Sequence, residues 1–207
     1  MISSIVVAAL TCYLLGNLNG AFLTSVLLHD DVREHGSGNA GLTNFIRNYG
    51  AGKSLMVIFV DAGKAILACL TAGLLLKPYG LSLEGRVLGG ICVMLGHDFP
   101  VLLGFKGGKG ILSGLFIALM IDWRIGLLIL AVFAVTYLLA QYVSLGSVLS
   151  AAAFAIGFAV FHHDNLFVML GGVFMGLLTI FMHRSNISRL VHGEEHKTNL
   201  FGKGQKL

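Results

Sequence analysis

LMVIFVDAGKAILACLTAGLLL, residues Leu55–Leu76, decides the fold. As an α-helix rising ~1.5 Å per residue it reaches roughly 33 Å, enough to cross the ~30 Å hydrocarbon core of a bilayer. Only Asp61 and Lys64 interrupt it, at i and i+3, neighbours on one helical face. Charges at bilayer depth pair or face the bundle interior, so these two read as a structural ion pair within a membrane helix.

Six further apolar segments surround it: Ile2–Leu28, Val87–Leu103, Ile111–Ile121, Ile125–Leu139, Val143–Phe161 and Leu166–Met182. Ile111–Ile121 is short for a span, which takes about 20 residues, and reads as a broken, buried or tilted helix. The 207-residue chain is 56% hydrophobic and 12% charged, with a mean hydropathy of +0.86. Soluble domains carry about 25% charged residues. The expected fold class is all-α: a polytopic integral membrane bundle of about seven transmembrane helices, one domain over residues 1–207. No linker, low-complexity tract or internal repeat divides it. Cys12, Cys69 and Cys92 lie in apolar runs with no C-x-x-C pair, which points to packing rather than a disulfide or zinc.

Charge assigns the sides. No Lys or Arg precedes Arg33, so the first segment lacks the positive start of a cleaved signal peptide and reads as a retained helix with its N-terminus outside. With seven spans, Arg33, Arg47, Lys53, Lys106, Lys109, Arg184, Arg189, Lys197, Lys203 and Lys206 fall inside, and only Lys77, Arg86 and Arg124 fall outside. Cytoplasmic loops carry this excess. Merging the fourth and fifth segments would reverse the tail and weaken the bias. The same rule accounts for the net charge of +4, so no nucleic-acid partner is expected.

The basic residues concentrate in three polar stretches. Gly36-Ser37-Gly38-Asn39-Ala40-Gly41-Leu42-Thr43-Asn44 combines residues that tolerate positive φ, so successive N–H groups can form an anion nest. Ser37, Asn39, Thr43 and Asn44 add side-chain donors, and Arg47 adds a bidentate fork for phosphate. The stretch contains G-x-G-x-x-G, but outside the strand–loop–helix setting of a dinucleotide site. The second is Gly96-His97-Asp98-Phe99-Pro100, then Gly104-Phe105-Lys106-Gly107-Gly108-Lys109-Gly110. Gly110 stands where a Walker A loop needs Ser or Thr, which disfavours nucleotide hydrolysis. The third is His183-Arg184-Ser185-Asn186-Ile187-Ser188-Arg189-Leu190, then Gly193-Glu194-Glu195. A continuing helix would put His183 and Asn186 on one face. Ser144, opening the sixth span, reads equally as a phosphate donor or a helix cap.

Together these residues resemble the bacterial membrane glycerol-3-phosphate acyltransferases that use acyl-phosphate as donor. The family's S-G-N-x-G-x-T-N…R matches Ser37 to Asn44 and Arg47. Its G-H-x-x-P…G-F-K-G-G-K-G matches Gly96 to Gly110, and its H-R-x-N-I-x-R-L…G-x-E matches His183 to Glu195. Its Y-x-S-L matches Tyr142 to Leu145. The likeness runs from about residue 13 to 196. Departures are small: Gly16-Asn17-Leu18 replaces G-S-I, Leu112-Ser113 replaces A-T, and Ala65 replaces a Gly.

The resemblance implies transfer of a fatty acyl group from acyl-phosphate to the 1-hydroxyl of sn-glycerol 3-phosphate, giving lysophosphatidate and phosphate. Ser37, Arg47, Lys109, His183, Asn186 and Glu195 become the expected catalytic residues. Gly38, Asn39, Gly41, Thr43, Asn44, His97, Lys106, Gly107, Gly108, Gly110 and Ser144 become the expected substrate-binding ones. No metal and no cofactor is required. An acyl-phosphate is a mixed anhydride with a good leaving group, so orientation and charge stabilisation are the main demands. The base is left open between His183, His97 and a substrate phosphate oxygen. The implied setting is a bacterial plasma membrane with the site on its cytoplasmic face, supplied by a separate acyl-phosphate-producing enzyme; oligomeric state is open. No His is followed five residues later by Asp, so the His-x-x-x-x-Asp dyad of many acyl-CoA and acyl carrier protein enzymes is missing. The competing class is a transporter for an organic phosphate. Such sites typically lie near the bilayer midplane between repeats, whereas these motifs gather at one face.

Overall fold

A computed structural model describes residues 1–197, and their regular structure is helical throughout. Lys203 and Lys206, counted above in the basic tail, lie outside the described residues. The helices are α1 (Ile2–Gly16), α2 (Gly20–Leu27), α3 (Leu42–Tyr49), α4 (Ser54–Leu76) and α5 (Ser82–Asp98). They continue with α6 (Ile111–Ile121), α7 (Trp123–Ala140), α8 (Val143–Phe161), α9 (Leu166–Met182) and α10 (Arg184–Val191).

Four helical stretches are long and apolar enough to cross a membrane, and six if each of two bent pairs counts as one span. The first bent pair corrects the reading of Ile2–Leu28 as one continuous segment. The helix breaks after Gly16 and restarts 44° away, with the Asn19 side chain accepting from Phe22 N to cap α2. The second pair turns 56° at His183. The segment read as Val87–Leu103 starts earlier and stops at Asp98, before Pro100, which cannot continue a helix.

Helix packing rests on small residues. A Cβ on Gly85 would lie 2.5 Å from the Ala72 carbonyl oxygen, and one on Gly89 would collide with that of Ala68, so α4 and α5 touch backbone to backbone. Gly16 and Gly96 bring α1 against α5 in the same way. Apolar packing between helices gains little where lipid is the solvent, and close backbone approach replaces it. Large side chains point outward instead: Phe59, Leu138 and Leu139 are 75%, 71% and 84% exposed, an apolar belt suited to lipid. Cys12 and Cys69 are buried within the helix packing, and Cys12 Sγ donates to Ala68 O.

The two ends of the bundle differ. At one, Met1 N donates to Tyr79 Oη at 2.9 Å, Glu84 accepts from Asn165 at 2.7 Å, and Asp122 lies 3.2 Å from His162. At the other lie the three motif-bearing stretches. Asp61 and Lys64 are buried between them at 2.8 Å, the ion pair expected from their spacing.

Candidate active site

The first stretch folds around Asn44. Its amide nitrogen donates to the carbonyls of Val32, His35 and Asn39, and its Oδ1 accepts the Ser37 N–H at 3.1 Å. The side chain expected to be an anion donor is therefore taken up in shaping the loop. Gly36 and Gly38 have φ of +56° and +69°, the left-handed region glycine tolerates. Arg47 extends from α3 beneath this loop, and one of its nitrogens reaches the carbonyl of His196 at 3.5 Å.

The second stretch is laid over His97. Gly108 N donates to His97 O at 3.0 Å, and a Cβ on Gly107 would meet that same oxygen. A Cβ on Gly108 would overlap the His97 ring at Nε2. Both glycines are therefore needed for close approach, and they carry the next residue, Lys109, inward. Lys106 points outward and is exposed. Lys109 Nζ donates to Asn186 Oδ1 in a short contact.

The third stretch is stapled by its own acid. Glu195 Oε2 accepts from Arg189 Nε at 2.8 Å, and its Oε1 accepts from Asn186 Nδ2 at 3.2 Å. Glu195, Asn186 and Lys109 thus form one chain of contacts, with Arg189 at its end. Although the helix bends between them, His183 and Asn186 both reach the same cavity. The buried imidazole of His183 donates Nδ1–H to Thr179 O at 2.8 Å, since a carbonyl only accepts, and this leaves Nε2 as a lone pair. Burial, then the charge of Arg189, lowers the Lys109 ammonium to about 8, with Glu195 opposing.

A cavity of about 300 Å³ collects these groups. From the first stretch Ser37, Asn39, Gly41, Thr43, Asn44 and Arg47 reach it. His97, Lys109, Gly110 and Ser144 follow, with His183, Asn186 and Glu195 closing it. Gly38, Lys106, Gly107 and Gly108 do not line it. The Ser144 hydroxyl is buried at the cavity with no hydrogen-bond partner among the described residues, and it caps no helix. Sequence reading missed Arg189, whose signal was its place three residues after Asn186 on α10, and Ser147 and Ser150, one and two turns beyond Ser144. It also missed the far half of the cavity, an apolar slot of Ile111, Leu112 and Leu115 from α6, Ile129, Leu130 and Phe133 from α7, and Val143 from α8. The site thus has a cationic end and a greasy end in one continuous space.

Such a fold and site define a helical protein with membrane-length apolar helices and one cavity walled by both cationic and apolar side chains. The family model described as glycerol-3-phosphate acyltransferase matches residues 6–193. The glycerol-3-phosphate acyltransferase of Finegoldia magna is 38% identical over 194 residues, covering 93% of this chain and 96% of that protein. The one from Synechococcus sp. strain CC9902 is 37% identical, covering 98% and 99%. The crystal structure of PlsY, an integral membrane glycerol 3-phosphate acyltransferase, in its glycerol 3-phosphate form superposes with a TM-score of 0.84 at 30% identity, covering 96% of this chain and 100% of that one. Its lysophosphatidic acid form superposes with a TM-score of 0.78. The chain belongs to the glycerol-3-phosphate acyltransferase family.

Proposed function

We propose that this protein moves a fatty acyl group from acyl-phosphate to the 1-hydroxyl of sn-glycerol 3-phosphate. The products are 1-acyl-sn-glycerol 3-phosphate and inorganic phosphate. The observation that carries this reading is one cavity that is cationic where Arg47, Lys109 and Arg189 meet and apolar between α6, α7 and α8. Glycerol 3-phosphate belongs at the cationic end, with its phosphate on Arg47 and Lys109. The acyl-phosphate lies with its tail in the slot and its phosphate against Ser37, the Gly-rich loop and Ser144. Lys106, exposed, contributes field rather than contact. Glu195 acts by fixing Asn186 and Arg189.

The attacking 1-hydroxyl donates to His183 Nε2, the one lone pair the imidazole presents. Its oxygen bonds to the acyl carbon as the carbon–oxygen bond to phosphate breaks. The proton passes from His183 to the departing phosphate, so the enzyme ends unchanged. Each preorganised donor on developing charge is worth ~10²–10³ in rate.

The setting is a bacterial plasma membrane, crossed about seven times with the N-terminus outside, so that the site faces the cytoplasm. Seven spans are reached when the four long helices, the two bent pairs and the short α6 each count as one. A separate enzyme supplies acyl-phosphate, and the product begins phospholipid assembly. The test is donor choice: purified protein given labelled sn-glycerol 3-phosphate and, in turn, palmitoyl-phosphate, palmitoyl-CoA and palmitoyl-acyl carrier protein. Labelled lysophosphatidate from palmitoyl-phosphate alone is the expected result. Turnover with either thioester and none with palmitoyl-phosphate would refute the donor.

A further inference from the structure

Beneath the second loop lies a buried polar group that the transfer scheme does not use. Lys64 Nζ sits 2.8 Å from Asp61 Oδ1, 2.8 Å from Leu18 O and 2.7 Å from His97 Nδ1, with Gly16 O at 3.3 Å. Asp61 is itself held by the N–H of Gly20 at 3.1 Å. An ammonium has donors and no acceptor. Facing it, Nδ1 of His97 must offer its lone pair, and a neutral imidazole then carries its proton on Nε2. Asp61 Oδ1 lies 3.8 Å from Nδ1, beyond hydrogen-bond reach. Lys64 is therefore the one hydrogen-bond partner of Nδ1 among the described residues.

Nε2 faces the other way. Among the described residues nothing bonds to it, and a Cβ on Gly108 would fill the space it looks into. His97 also reaches the cavity wall. We infer that Lys64, anchored by Asp61, locks His97 as its Nε2–H tautomer and so turns it into a neutral hydrogen-bond donor to a phosphate bound in the cavity beside Lys109. This rests on the phosphate-binding reading of the cavity. Lys64 and Asp61 are positioning residues, acting through His97. The two histidines of the site then stand in opposite states: His183 presents a lone pair to a hydroxyl, and His97 presents an N–H to an anion.

The experiment is nitrogen NMR on the full chain in detergent, with ring-labelled histidine and His97→Gln to identify the signals. The expected spectrum near neutral pH shows His97 protonated at Nε2 and bare at Nδ1. The Nε2 signal moves on adding sn-glycerol 3-phosphate or inorganic phosphate. In the charge-neutral pair Asp61→Asn/Lys64→Met the Nε2 preference is lost, and KM for glycerol 3-phosphate rises ~10-fold, the size of one hydrogen bond to a charged group, with kcat changed much less. Should that variant fail to fold, His97→Gln and His97→Asn replace it. Gln places its amide near the Nε2 position and loses less than Asn, which reaches only the Lys64 side. An Nδ1–H or doubly protonated His97 in the wild type, or an Nε2 signal indifferent to saturating phosphate ligand, overturns the proposal. Failure of acyl-phosphate to act as donor leaves these spectra interpretable, so the two readings fail separately.

Discussion

The imidazole of His183 donates Nδ1–H to the carbonyl of Thr179 one helical turn earlier, at 2.8 Å. The bond fixes both the ring plane and the tautomer, because α9 holds that carbonyl in place. That leaves Nε2 as the lone pair to which the proposed mechanism gives the glycerol hydroxyl. His183→Gln, whose amide can hydrogen-bond the hydroxyl but cannot take up its proton, is expected to lower kcat by ~10²–10⁴ with a smaller change in KM. Steady-state kinetics with both substrates varied checks this; a kcat within a few-fold of wild type would remove His183 from proton transfer.

Lys109 carries a pH signature. Burial and the nearby Arg189 lower its ammonium to about 8, so the charge is present below that pH and lost above it. Binding of a phosphate needs the charged form. kcat/KM for glycerol 3-phosphate is therefore expected to be level towards neutral pH and to fall above about 8, approaching tenfold per unit. Lys109→Arg, charged throughout, should flatten that limb. A fall of the same slope and midpoint in the Arg variant would assign it to another group.

Glu195 is placed to orient rather than to react. Replacing it with Gln keeps the shape but removes the charge holding Arg189 at 2.8 Å. A hydrogen bond to a charged group is worth ~1.5–3 kcal/mol, so KM for glycerol 3-phosphate should rise roughly 10–100-fold. An unchanged KM would show that the Glu195 carboxylate holds nothing the substrate uses.

Gly107 and Gly108 are the tightest points of the second loop, and a Cβ on Gly108 would lie 2.0 Å from His97 Nε2. Gly108→Ala should displace the loop, at a cost of ~1–3 kcal/mol for overpacking, and withdraw Lys109 from the cavity. The expected outcome is a folded protein with activity reduced at least ~100-fold. Gly104→Ala is the control for loop substitution as such: nothing lies within 4 Å of its would-be Cβ, and only its φ of +63° resists the change.

The sequence was most informative where hydrophobicity alone sets the answer. Ile111–Ile121, Val143–Phe161 and Leu166–Met182 begin and end as the apolar runs do. It was least informative where one side chain remakes the backbone. Asn19 capping α2 converts a continuous apolar run into two helices, and no hydropathy average registers a cap. At the site, the charged and hydroxyl residues announce themselves because bilayer helices have no need of them. Asn44 misleads, since an amide that staples a loop and one that binds an anion look alike until its partners are seen. The slot of Leu112, Ile129 and Phe133 was invisible for the opposite reason: apolar residues facing a cavity read the same as those facing lipid.

The joined cavity makes one demand that no transporter or thioester enzyme would meet. Palmitoyl-phosphate should be consumed only when sn-glycerol 3-phosphate is present, and each phosphate released should be matched by one lysophosphatidate. Following both products from the purified protein, with and without the acceptor, tests this directly. Acceptor-dependent release at one-to-one stoichiometry is the predicted result. Release that ignores the acceptor, or a folded protein that releases none, would contradict acyl transfer from acyl-phosphate.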